Sequence, residues 1–142
     1  MYKAITSILI LFALLSCAKK DQYPIVTQSD GKIKIDVSDL KEGVPKFLSY
    51  KEKDKTINFI IIKTGGKISS YFDACLKCYK KKQGYKYDDG WLLCKACGIR
   101  YPVESLEGVG SCYPIPIEGR LEGNLYIIKS ETLLSEGVPS SK

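Results

Sequence analysis

No histidine occurs in this 142-residue chain, so imidazole is excluded as a ligand, and any metal held here must tolerate coordination by thiolates alone. No apolar run reaches the roughly 20 residues that cross a bilayer as a helix; the longest, Ala4 to Leu15, falls short. Repeats and low-complexity tracts are missing, which excludes a solenoid. Positive charge is spread along the chain except at Lys80-Lys81-Lys82, and nucleic acid is not an expected partner. No acid–base or nucleophile constellation accompanies the thiols, so the chain reads as a carrier or binding protein and not as an enzyme.

What is present at the N-terminus reads as a leader. Lys3 precedes the apolar run, which ends at Leu14-Leu15-Ser16-Cys17 and gives way to Lys19-Lys20-Asp21, the arrangement of a secretory signal. That ending resembles the bacterial lipobox. Residues 1–16 are then a signal peptide, and Cys17 becomes a lipidated first residue that holds the protein at a membrane surface of the cell envelope, facing the periplasm or the outside. Each buried acyl methylene contributes about 0.8 kcal/mol to such anchoring. The formal charge of +6 falls to +5 once Lys3 is removed.

The remainder is enough for one domain. Residues 17–30, polar and carrying Pro24, read as a tether; 31–130 as the folded domain; 131–142 as a polar tail with at most one helical turn. Ten tyrosines and frequent β-branched residues suit a mostly β fold. Ile33 and Ile35 alternate with Lys32, Lys34 and Asp36 as in a half-buried strand. Val37 to Gly43 reads as a turn or helical piece, and Pro45 to Tyr50 as extended. The strongest strand runs from Thr56 to Lys63, and Thr64-Gly65-Gly66-Lys67 reverses it into Ile68 to Phe72 as a hairpin. Trp91-Leu92-Leu93 and Leu125 to Ile128 supply further strands.

The chemistry is concentrated in cysteines. Cys75-x2-Cys78 is followed after fifteen residues by Cys94-x2-Cys97, the spacing of two loops that meet around one tetrahedral thiolate site. Two intervening residues let both sulfurs of a loop face one point while its N–H groups donate to them, and Gly98 suits such a turn by accepting a positive φ. Zinc, iron, an iron–sulfur cluster and Cu(I) are compatible with this donor set. Disulfides are the other reading of thiols in an exported protein, and a thioredoxin-like dithiol would need a βαβ context that is missing. For Cys112, in Gly108-Val109-Gly110-Ser111-Cys112-Tyr113-Pro114-Ile115-Pro116, several roles stay open: fifth ligand, neighbouring sulfur, resolving thiol, or buried apolar residue. Lys77, Lys80, Lys81 and Lys82 can offset the charge of about −2 left by four thiolates on a divalent ion, face solvent, or dock an acidic redox partner.

With Ile68 to Cys75 leading one loop and Leu92 to Tyr101 the other, the layout resembles Rieske domains, a small barrel or sandwich with two metal-binding hairpin loops. Cys78 and Cys97 stand where that pattern has histidines, and Pro114-Ile115-Pro116 resembles its proline loop. Phe72-Asp73-Ala74-Cys75-x2-Cys78-Tyr79, Gly84-Tyr85, Leu93-Cys94-x2-Cys97-Gly98 and Gly110-Ser111-Cys112-Tyr113-Pro114-Ile115-Pro116 together resemble the FtrD-like family of membrane iron–sulfur proteins. That resemblance implies an iron–sulfur centre on Cys75, Cys78, Cys94 and Cys97, with Cys112 nearby, passing electrons to redox partner proteins within an envelope iron-uptake system. The alternative is a structural zinc or copper module without redox role. The leader lacks twin arginines, so the chain is expected to cross the membrane unfolded and to acquire its metal afterwards. Tyr79, Tyr85, Trp91 and Tyr101 are expected to pack around the centre.

Overall fold

A computed structural model describes residues 23–108 and 112–135. The expected signal peptide, the lipidation residue Cys17, Val109 to Ser111 and the end of the tail lie outside these residues. The architecture is mostly β. Among the described residues twelve strands run in order: β1 Ile25–Val26, β2 Gln28–Ser29, β3 Lys32–Asp36, β4 Lys46–Glu52, β5 Lys55–Thr64, β6 Lys67–Phe72, β7 Tyr85–Asp88, β8 Trp91–Cys94, β9 Arg100–Pro102, β10 Pro116–Ile117, β11 Arg120–Glu122 and β12 Leu125–Lys129. A single 3-10 turn, Tyr79–Lys81, separates β6 from β7, and α1, Ser130–Ser135, follows β12.

The strands form three sheets ordered β1-β4-β5-β6-β10, β11-β12-β3-β2 and β7-β8-β9. None of them closes on itself among the described residues, so of the two expected forms, barrel or sandwich, the barrel is corrected to open, packed sheets. The reason lies in β5. Its run Phe59-Ile60-Ile61-Ile62 is buried throughout, and the period of two sends alternate side chains to opposite faces. Phe59 and Ile61 enter a core with Ile33, Ile35, Leu48, Tyr126 and Ile128 from the second sheet and β4. Ile60 and Ile62 enter another with Tyr85, Leu92 and Tyr101 from the third. The first sheet is thus the middle layer, a strand buried on both faces having no need to curl over a single core. Each of these side chains contributes about 1.5–3 kcal/mol on burial.

Several readings shift at their edges. Within the segment read as a tether, Ile25 and Val26 pair in parallel with Ser49 and Tyr50, and β2 pairs with β3. Tyr85–Asp88, not expected as a strand, forms a hairpin with Trp91–Cys94. Val37 to Gly43 is turn, without helix, and the helical turn of the tail buries Leu133 in the first core.

Candidate metal centre

The second core is where the thiols collect: Cys75, Cys94 and Cys112 are buried in it, and Cys78 packs against it. β6 delivers the first loop. At its end the chain turns so that the Cys75 carbonyl accepts from the N–H groups of Cys78 at 3.3 Å and Tyr79 at 2.9 Å, and the Cys78 N–H also lies 3.2 Å from the Cys75 sulfur. The second loop is the tip of the β8–β9 hairpin. There Cys94 N–H donates to Ile99 O at 2.9 Å and Gly98 N–H to Cys94 O at 2.8 Å. Gly98 has φ +75°, the left-handed conformation expected of it.

Cys112 arrives by a different route. Phe72 N–H donates to Ile115 O at 2.8 Å, and Ile115 N–H to Ala74 O at 3.3 Å, so the proline-flanked segment lies along the first loop. Pro114 lacks an N–H and is buried in that segment. Two tyrosines of the third sheet then grip the Cys112 peptide: its N–H donates to the Tyr101 hydroxyl at 2.9 Å, and the Tyr85 hydroxyl donates to its carbonyl. A buried tyrosine hydroxyl needs a partner. Sequence reasoning assigned both rings to packing and missed this second duty.

The sulfurs of Cys75, Cys78, Cys94 and Cys112 all lie within 4.8 Å of one another, a set that could hold a metal ion. Cys97, expected among the ligands, is exposed and stands outside that set, its sulfur 2.8 Å from that of Cys112. Cys78 approaches Cys112 to 3.4 Å. All five cysteines of the described residues therefore meet, with Cys112 wholly buried at 0 % exposure. For an iron–sulfur group or a thiolate-bound ion the donor chemistry fits: sulfur ligands without imidazole, with loop N–H groups aimed at them.

Crowding of sulfurs splits their acidities in the metal-free chain. Burial raises Cys97, yet hydrogen bonds from Cys112, the Ile99 N–H and its other sulfur neighbours outweigh it and bring the thiol down to about 7. Burial dominates at Cys94, pushing it up to about 11, and at Cys112, which is raised further by surrounding sulfurs. At Cys75 burial is outweighed by the Cys112 thiol and by N–H groups of Cys78 and Lys77, and the thiol is lowered. A metal that displaces protons from such a set binds more tightly as pH rises.

Asp73 braces the two loops. It is buried, its Oδ1 accepting from Tyr85 N–H at 2.7 Å and its Oδ2 from the Tyr23 hydroxyl at 3.1 Å. Burial raises its carboxyl from 3.8 to about 6 against these bonds and nearby Lys95. Because the folded chain holds this proton more tightly than the unfolded one, the stability linked to Asp73 is complete below about pH 3.8 and is lost as pH rises through about 6,. Asp73→Asn is expected to flatten that part of the melting-temperature profile of the metal-free protein, where wild type changes by up to about 3 kcal/mol. An unaltered slope would place the titrating group elsewhere.

Not every expected neighbour shields the centre. Tyr85 and Tyr101 are buried and Tyr79 half-buried, but Trp91 is 42 % exposed and lies under the Arg100 guanidinium at 5.4 Å. Its strand position points it away from the core that Leu92 enters. Lys77, Lys80, Lys81, Lys82 and Lys95 are exposed around the loops, as is Leu76.

A family model described as membrane iron–sulfur containing protein, FtrD-like, matches residues 40–138. The chain belongs to the FtrD-like family. The match spans both C-x2-C loops and Cys112, and so takes in the whole sulfur cluster of this FtrD-like chain. A comparison with curated proteins finds no match. Among the described residues no helix is long and apolar enough to cross a membrane, although the family is described as a membrane one.

Proposed function

We propose that this FtrD-like protein is an electron carrier of the cell envelope, anchored by lipid on Cys17 and holding an iron–sulfur centre through Cys75, Cys78, Cys94 and Cys112. The observation that carries this reading is the convergence of five cysteine sulfurs from the β6–β7 connection, the tip of the β8–β9 hairpin and the Cys112 segment, inside the stretch matched by an iron–sulfur family. When bound, thiolate-ligated iron changes charge by one unit, and all-cysteine ligation places its potential below the range of histidine-ligated Rieske centres. The protein's own part is to fix the sulfurs, supply N–H donors from the loops, and exclude water with Tyr85, Tyr101 and Leu92. Exposed Cys97 and Leu76 mark the side on which a redox partner of an iron-uptake system would approach, and the lysines around them favour an acidic one. No catalytic step is assigned to it.

A second reading has one observation in its favour. A single tetrahedral ion with metal–sulfur bonds of about 2.3 Å sets its ligands about 3.8 Å apart, close to the spacing of four sulfurs gathered within 4.8 Å. Zinc or Cu(I) would then fold the loops and pass no electrons.

Protein purified without oxygen is expected to contain iron and inorganic sulfide and to absorb visible light, with the bands bleaching on addition of dithionite. Zinc or copper without visible iron–sulfur bands would overturn the electron-carrier reading and establish the second. For the anchor, Cys17→Ser is expected to move the protein from the membrane fraction to the soluble one; unchanged membrane retention would refute lipidation at that residue.

A further inference from the structure

Five sulfurs meet where a tetrahedral ion would take four, and the surplus one is placed distinctively. Cys97 is exposed while Cys112 has no exposed surface, yet their sulfurs, fifteen positions apart in sequence, are 2.8 Å apart. The other close pair, Cys78 and Cys112, is farther apart at 3.4 Å, and within the loops the turn already engages the Cys75 sulfur and carbonyl and the Cys94 carbonyl with N–H groups.

We propose that Cys97 and Cys112 form a thiol–disulfide pair which a low-molecular-weight disulfide closes when the metal is absent, taking Cys112 out of the ligand set. Cys97, the accessible member, attacks one sulfur of the small disulfide; an S–S bond forms to Cys97, and one half leaves as thiolate. Cys112 then attacks the Cys97 sulfur, closing Cys97–Cys112 and expelling the other half. Two protein thiols have lost two electrons and two protons, and the small disulfide has become two thiols. The sulfur of Cys112 is now bonded and no longer a thiolate donor, so the site retains three of its four ligands. A bound metal has the reverse effect, holding Cys112 as ligand and leaving Cys97 without a resolving partner. Loading and oxidation thereby exclude one another, a useful property for a chain that acquires its metal in an oxidising compartment.

This inference rests on the four-thiolate reading for its metal dependence, whereas the location of the bridge does not depend on which metal binds or whether electrons move. The test uses the full chain, metal-stripped under reductant, desalted, and treated with oxidised glutathione. Intact mass is expected to fall by two hydrogens, with peptide mapping placing the bridge at Cys97–Cys112. Cys112→Ser is expected to stop at a glutathione adduct on Cys97, and Cys97→Ser, which leaves the buried residue untouched, to form no bridge at all. Metal-loaded protein is expected to keep its full thiol count over the same interval. A lasting adduct on Cys97 in the wild type, a bridge between any other pair, no reaction, or equal oxidation of the loaded protein would each overturn the proposal. Metal content is measured separately, so a failed bridge and a failed metal centre are told apart.

Discussion

Cys112→Ser is expected to weaken metal binding about a hundredfold, while Cys97→Ser leaves it unchanged. The two residues look alike in the sequence only if C-x2-C spacing is ignored; by spacing, Cys97 is the stronger candidate and Cys112 the odd thiol. The proposed centre ranks Cys112 first, because the four sulfurs that all lie within 4.8 Å of one another are those of Cys75, Cys78, Cys94 and Cys112. Binding of a four-thiolate ion releases about 10–16 kcal/mol in small domains, or roughly 3 kcal/mol per ligand. Loss of one ligand should therefore weaken affinity about a hundredfold. A competition titration against a chromogenic chelator reads this directly for zinc or iron(II). Serine in place of Cys112 changes little in volume, and its peptide remains held by Tyr85 and Tyr101, so near-native circular dichroism should accompany the lost affinity. If Cys97→Ser weakens binding as much as Cys112→Ser does, the centre is built on a different four.

Why spacing alone does not bring Cys112 into the cluster is physical. A C-x2-C pair is a local feature, readable because two residues suffice to aim both sulfurs at one point. Cys112 joins through a contact spanning 34 positions from Cys78, its segment leading into β10, which pairs with β6. No periodicity announces such a contact, although the glycine and proline residues around Cys112 did announce a shaped loop. The larger strands were legible for the opposite reason: β3, β5, β6 and β12 carry their alternation or apolar runs within themselves. β1 and β2, two residues each, are too short to show a period and exist because an adjacent strand offers them an edge. Tyr85-Lys86-Tyr87-Asp88 does alternate, with Tyr85 buried and Tyr87 half-buried, and the following Asp89-Gly90, both at positive φ, form the hairpin turn that its composition favours.

The contact between Asp73 and Gly84 is the clearest case of a constraint invisible in one dimension, and it leads to the largest expected loss of stability. A Cβ on Gly84 would stand 2.4 Å from Asp73 Oδ2 and 2.7 Å from both Cγ and Oδ1. Asp73 cannot simply swing aside, since its carboxylate holds Tyr85 N–H and the Tyr23 hydroxyl. Gly84 also has φ +68°, which costs an L-residue about 1–2 kcal/mol. Breaking hydrogen bonds to a buried charged group adds about 1.5–3 kcal/mol. Gly84→Ala is therefore expected to destabilise the fold by about 3–5 kcal/mol, a large share of the 5–15 kcal/mol typical of a domain, and to lower the melting temperature by about 10 °C or more. Because Gly84 O accepts from Lys95 N–H at 3.0 Å, the second cysteine loop shifts with it, and metal retention should fall too. Gly90→Ala is the control: its φ is +85° but nothing lies within 4 Å of the added Cβ, so only the conformational cost applies. Asp73→Ala removes the carboxylate that the Cβ would strike, and in a double-mutant cycle the pair should be less destabilising than the sum of its parts. Equal losses from Gly84→Ala and Gly90→Ala in thermal melts, or strict additivity in the cycle, would mean that the two loops are not braced through Asp73.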